Sequence, residues 1–162
     1  MPPLPLEGWD HITWPVPDIG AAEAWYCRVL GGKTVMRHGY APQDVAGGRT
    51  KQIWIQVGDA IVNLAEGPSM NRPDEAHFYH YAFKGGSLEH LDGWLDHLAQ
   101  EGVDVLGPFG HGNSNVVSIY FDDPDNYRLE ISFEAPDFET VCRLAPERGW
   151  KLGNPVASYD WK

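Results

Sequence analysis

Apolar and polar positions alternate, change to a helical period, and alternate again, and the chain runs through this series twice. Asp10–Val16 alternates as a strand does, and Asp18 then stands where a helix would be capped. Ala22, Trp25, Tyr26 and Val29 share one face of a helix predicted over Ala21–Leu30, which Gly31-Gly32 ends. Three strand-like runs follow, Lys33–Tyr40, Gln52–Val57 and Ala60–Ala65. The second pass starts at Phe78–Phe83. Ser87 is placed to cap a helix whose Leu88, Leu91, Leu95 and Leu98 keep helical spacing, and Gly102 ends it. Val103–Leu106, Val116–Phe121 and Tyr127–Phe133 are the remaining strands, the last two joined by an Asp-Asp-Pro-Asp-Asn turn.

The order is therefore β-α-β-β-β, twice. The offset between matching positions, His11 with His80 and Asn63 with Glu130, is nearly constant, as in a tandem repeat. The predicted class is α+β, one domain over 1–162, with module one at 8–67, module two at 76–134 and a C-terminal extension at 135–162. One helix covers only one face of a four-stranded sheet. In module one Ile53, Ile55 and Val57 are expected to face the helix. Gln52, Trp54 and Gln56 then line the open side, with Trp54 a candidate substrate contact.

Composition narrows the class. The chain has 162 residues, 43% of them hydrophobic, and 12 basic against 23 acidic side chains give a net charge of -11. That sign disfavours nucleic acid and anionic membranes as partners. No apolar run follows a basic N-terminal segment, and no apolar stretch of roughly 18 residues is present, so a cytoplasmic location is expected. Cys27 and Cys142 are far apart in sequence and read as free thiols.

His11 and His80 sit on matching first strands, Asn63 and Glu130 on matching last strands. Related by approximate two-fold symmetry, these positions are expected to converge, and two His with one carboxylate form a facial triad suited to Fe(II). His11, His80 and Glu130 are the predicted metal ligands.

On these residues the chain resembles the vicinal oxygen chelate superfamily, which includes glyoxalase I, fosfomycin-resistance thiol transferases, bleomycin-binding proteins and type I extradiol dioxygenases. The resemblance covers about residues 8–134. Asn63 stands where glyoxalase-type sites add a fourth ligand, which leaves three open coordination positions, as many as a chelating catecholate and dioxygen occupy. His111, Ile119, Tyr120, Asp123, Pro124 and Glu130 also resemble the extradiol signature. Asn126 replaces its glycine, and Phe109 stands where smaller residues are usual. Asn tolerates the left-handed conformation, so the turn is expected to survive.

That resemblance implies an Fe(II)-dependent extradiol dioxygenase acting on a small aromatic diol and O2, with L-DOPA as one candidate. It assigns second-shell catalytic roles to His111 and Tyr120. His38 is the candidate for the remaining acid–base residue. An amino-acid substrate needs a cation for its carboxylate, and Arg128 and, in the tail, Arg143 or Arg148 are the candidates, with Thr13 also expected at the substrate. A homodimer or higher homo-oligomer is expected.

Two rivals stand beside this reading: a drug-binding protein, and a metal-dependent thiol transferase of the fosfomycin type. Acidic charge fits the first, although bleomycin-binding members generally lack the metal triad. Thr13 fits the second, although the loop 110–115 supplies no Lys or Arg for a phosphonate. The extension carries Phe138, Leu144, Trp150, Tyr159 and Trp161, too apolar for a disordered end. A short helix near Phe138–Leu144 is predicted. The extension either covers an apolar sheet edge or subunit interface, or lids the cleft with Arg143 or Arg148 toward the substrate.

Overall fold

The computed structural model describes residues 9–70, 80–111 and 114–152. The chain divides into two compact units, Met1–Met70 and Asn71–Lys162. In the first, β1 (Ile12–Val16), α1 (Ile19–Val29), β2 (Lys33–His38), α2 (Pro42–Ala46), β3 (Gln52–Val57) and β4 (Ala60–Glu66) follow in order. The sheet order is β1-β4-β3-β2, with β1 parallel to β4 and the other pairs antiparallel. The last strand of the module thus lies inside the sheet, beside the first.

Asp18 caps α1, its carboxylate accepting from Gly20 N and Ala21 N. The predicted face Ala22, Trp25, Tyr26 and Val29 is buried. It packs against β3 and β4, where Ile53, Ile55, Val57, Val62 and Leu64 are buried too. Gln52, Trp54 and Gln56 point to the other face, as period-two alternation requires. A register shift between Thr34 and Met36 lets Thr34 and Arg37 meet Glu23 on the helix side while His38 pairs with Gln52 on the open side. The α2 helix was not expected; five residues are too few to show a period in sequence.

The second unit repeats the plan. It contains β5 (Tyr81–Ser87), a 3-10 turn (Leu88–His90), α3 (Leu91–Gln100), β6 (Leu106–Gly110), β7 (Val116–Asp122), β8 (Arg128–Glu134), α4 (Phe138–Arg148) and β9 (Lys151–Leu152). Its sheet order is β5-β8-β7-β6-β9, with β5 parallel to β8. In the first unit Asn63 lies opposite Thr13, two residues after His11; in the second Glu130 lies opposite Ala82, two residues after His80. The pseudo-repeat read from sequence is thus repeated in strand register. Phe78 and Tyr79, the predicted start of this module, lie outside the described residues.

Strand β6 begins where the prediction ended. Val103 N donates to Leu98 O and closes the end of α3, so the strand forms later, through Gly-Pro-Phe-Gly, between β7 and β9. The turn before β8 has Asn126 at φ 66°, the left-handed conformation that its replacement of glycine calls for. Asp123 Oδ1 accepts from Asp125 N and Tyr127 N and locks that turn.

The extension covers the sheet edge. Helix α4, capped by Asp137 and ended by Gly149 in the left-handed region, buries Val141 and Ala145 and packs on β6 and β7. It runs past Leu144 because Pro146 removes a single N–H near its end. Strand β9 then pairs with β6. Tyr159 and Trp161 lie outside the described residues. Among the described residues no helix is long and apolar enough to cross a membrane.

Gly85 faces the core of the second unit. A Cβ there would stand 2.3 Å from Phe133 Cε1 and 2.6 Å from Ile131 Cγ2. Gly85→Ala is therefore expected to destabilise by about 1–3 kcal/mol, seen as a lowered urea midpoint at unchanged slope.

Candidate functional site

Glu130 lies at the middle of β8, opposite Tyr120 on β7 and Ala82 on β5, and is only 6% exposed. Three neighbours share its two oxygens. Ser118 and Ser132 both donate to Oε1, at 2.6 Å and 2.7 Å. His80 Nε2 stands 2.8 Å from Oε2. Burial alone would raise the carboxyl pKa from 4.5. The His80, Ser118 and Ser132 hydrogen bonds outweigh burial and bring it to about 2, so Glu130 is an anion at neutral pH.

The hydroxyl pair also fixes a proton on His111. Ser118 gives its own hydrogen to Glu130, so the 3.0 Å contact between His111 Nε2 and Ser118 Oγ is a donation by the ring N–H. Tyr120, beside them, is pushed up by burial and by the Glu130 charge and remains protonated. Its ring meets His80 edge-on at 5.6 Å and Phe109 at 5.9 Å. The second unit therefore gathers His80, Glu130, His111 and Tyr120. Sequence reading missed Ser118 and Ser132; their only signal was a small polar residue two before Tyr120 and another two after Glu130.

The first unit gathers a different set on its open face. Asn63 lies opposite Thr13 and Trp54. Its Nδ2 donates to Thr13 Oγ1 at 3.0 Å and Gln52 Oε1 at 3.5 Å. His11 packs its ring on Trp54 at 4.2 Å, and His38 meets the same indole edge-on at 6.5 Å. His11 Nδ1 lies 2.6 Å from Asp10 Oδ2, which holds the ring proton on Nδ1 and leaves the Nε2 lone pair available. Asp10 was another residue that sequence reading passed over.

These donors fit a divalent cation. His80 Nε2 and Glu130 Oε2 are close enough to share one, and the serines occupy the other carboxylate oxygen. Among the described residues, no group of three His, Cys, Asp or Glu is drawn together as a metal cluster. Arg128 shares the Glu130 face but binds Asp122 through Nε and Nη2. Arg143 lies exposed on α4, 3.4 Å from Glu147, and Arg148 binds Asp92 and lies over Trp150.

The family model described as the Glyoxalase/Bleomycin resistance protein/Dioxygenase superfamily matches residues 8–131. The fosfomycin resistance protein FosX of Mesorhizobium japonicum is 26% identical over 126 residues, 78% of this chain and 85% of that protein. The metallothiol transferase FosB of Staphylococcus epidermidis is 25% identical over 123 residues, 75% of this chain and 78% of that protein. The crystal structure of FosX from Listeria monocytogenes with Mn(II) and sulfate has a TM-score of 0.63 at 23% identity. It covers 79% of this chain and 93% of its own, and shares the α+β fold of paired modules.

These relatives overturn the expectation of a non-haem iron ring-cleaving dioxygenase, and with it the catechol or L-DOPA substrate and the use of O2. The signature misled because hairpin geometry accounts for most of it. Tyr120 is the buried cross-strand partner of Glu130, and Asp123 ties the turn. His111 donates to Ser118. None of these features implies dioxygen.

The lowered carboxyl pKa gives a pH signature in the metal-free protein. Glu130 is more acidic folded than unfolded, so its contribution to stability is complete above about pH 4.5 and disappears as pH falls through about 2. Ser132→Ala removes one donor and raises the folded pKa, so the wild-type advantage over this variant shrinks across the same window. Urea midpoints at pH 6, 4 and 3 measure it; a gap that does not narrow on acidification would count against the hydroxyl clamp.

Proposed function

From the membership of this chain in the Glyoxalase/Bleomycin resistance protein/Dioxygenase superfamily, we propose that it is a metal-dependent enzyme that adds a thiol to the epoxide of fosfomycin. The observation that carries the reading is the face around Glu130. It combines a His–carboxylate pair with a cation: on β5 the exposed Lys84 lies opposite Ser132, and among the described residues no ion pair or hydrogen bond engages its ammonium. The loop 110–115 lacks a cation for a phosphonate, but β5 supplies one.

His80 and Glu130 are the proposed metal ligands, and His11, the sequence counterpart of His80 with an available Nε2, is a proposed further one. A cation held by these residues would supply Lewis-acid polarisation of the epoxide oxygen. Mn(II), the ion in the Listeria FosX structure, and Fe(II), the ion expected from sequence, both suit nitrogen and carboxylate donors.

The protein side of the reaction is charge placement and proton handling. Lys84 holds the phosphonate by a charge-assisted hydrogen bond. The thiolate sulfur bonds to one epoxide carbon as that carbon's C–O bond breaks, and the alkoxide takes the proton the thiol gave up. No electron acceptor is required. Tyr120, held protonated by burial beside Glu130, is a hydrogen-bond donor for developing negative charge. Thr13, Trp54 and Arg128 are proposed substrate contacts. His38 and His111 are proposed proton carriers, and Arg143 or Arg148 is the candidate on the extension.

Fosfomycin incubated with protein, Mn(II) and a thiol should give a new 31P resonance that is absent when either metal or thiol is omitted. The same resonance without thiol would make water the nucleophile; no new resonance with Mn(II) or Fe(II) would end the proposal. His80→Ala and Glu130→Ala should lose bound metal while remaining folded, measured by elemental analysis and circular dichroism. Lys84→Ala should raise KM for fosfomycin roughly tenfold or more with little change in kcat.

A further inference from the structure

The two units share one register but differ in how their central polar group is satisfied. In the second, Glu130 faces Tyr120 and every oxygen has a partner. In the first, Asn63 faces Trp54, and both are left short. Asn63 is 3% exposed, yet among the described residues its buried Oδ1 has no hydrogen-bond partner, and neither has Trp54 Nε1. Each such group has given up its water without a protein partner in return. Directly paired antiparallel residues have Cβ atoms roughly 5 Å apart on one face, so the side chains that carry this acceptor and this donor stand side by side.

We infer that the open face of the first unit binds a neutral group that both gives and accepts a hydrogen bond, a carboxamide or an alcohol. Asn63 Oδ1 accepts its N–H or O–H, and Trp54 Nε1 donates to its oxygen. The chemistry excludes other occupants. A carboxylate or phosphonate would accept from Trp54 but meet the Asn63 carbonyl oxygen with like charge. An ammonium or a metal ion would satisfy Asn63 and leave the indole N–H without an acceptor.

The surroundings are pre-set for such a group. Thr13 and Gln52 hold the Asn63 amide by its nitrogen, which leaves the oxygen as the free end. His11, tilted against the indole, and His38, meeting it edge-on, limit the rotation of Trp54. On the functional reading above, on which this step alone rests, the anionic phosphonate belongs to the Lys84 face. The neutral amide or hydroxyl then belongs to the thiol co-substrate.

The test separates the two readings. In full-length protein labelled with 15N at tryptophan, the indole resonance of Trp54 is assigned by its loss in Trp54→Phe. Acetamide and ethanol are titrated as the two neutral probes, acetate and methylphosphonate as anionic controls. A saturable downfield shift of the Trp54 resonance with one or both neutral probes, and none with the anions, is expected. Asn63→Leu should weaken that binding about tenfold. The other six indole resonances should be unchanged in that variant, showing that it folds.

An equal or larger response to the anions, or no saturable response to any probe, overturns the inference; the second result leaves the pair to solvent water. In turnover, N-acetylcysteamine should outperform 2-mercaptoethyl acetate, its ester counterpart lacking the N–H, and Asn63→Leu should abolish that preference. Neutral-probe binding without thiol transfer would leave this site standing and remove the proposed function. Thiol transfer without probe binding, and with no preference between amide and ester, would do the reverse.

Discussion

A buried carboxylate is the constraint around which the second unit is arranged. Removing an ion such as Glu130 from water is costly unless hydrogen bonds and opposite charge replace the solvent. Here Ser118 and Ser132 stabilise one oxygen and His80 the other. Ser118 lies opposite Ser132, and both follow from the alternation that places Glu130 and Tyr120 on the same face. The serines leave the second oxygen directed at His80, which is the orientation a shared cation needs.

The parallel pairing of first and last strand makes this possible. Because β8 lies between β5 and β7, its central residue has neighbours on both sides; an edge strand would offer only one. The same topology in the first unit puts β4 between β1 and β3, with Asn63 where Glu130 stands in the repeat. A neutral amide there carries a smaller desolvation cost than a carboxylate, so fewer partners suffice, and two polar atoms remain unengaged. The repeat has thus kept one scaffold and divided two chemistries between its copies. The central position is an anion in one copy and a neutral amide in the other.

Acidic net charge does not conflict with an anionic substrate. Net charge governs long-range attraction, whereas binding depends on groups within a few ångströms, and Lys84 is local to the Glu130 face. Each Arg candidate faces a carboxylate of its own, Arg128 Asp122, Arg143 Glu147 and Arg148 Asp92, so a substrate anion would compete with that carboxylate there, whereas at Lys84 it would not.

The sequence by itself determined the modules, the helix faces and the pairing of His11 with His80 and of Asn63 with Glu130 as equivalents. Hydrophobic period and turn chemistry are local properties, and they are written residue by residue; Asn126 in its left-handed turn is one case. It did not determine that Ser118 and Ser132 would clamp Glu130, that Asp10 would orient His11, or that β6 would form from Gly-Pro-Phe-Gly. Those contacts depend on strand register and on edges closed by other strands. Nor did the oxygenase-like signature establish ring cleavage, which the fosfomycin-resistance relatives overturned. The His, Tyr and Glu read as an oxygenase signature are also what a buried hairpin around a carboxylate requires, and only tertiary structure places the partners of each polar atom.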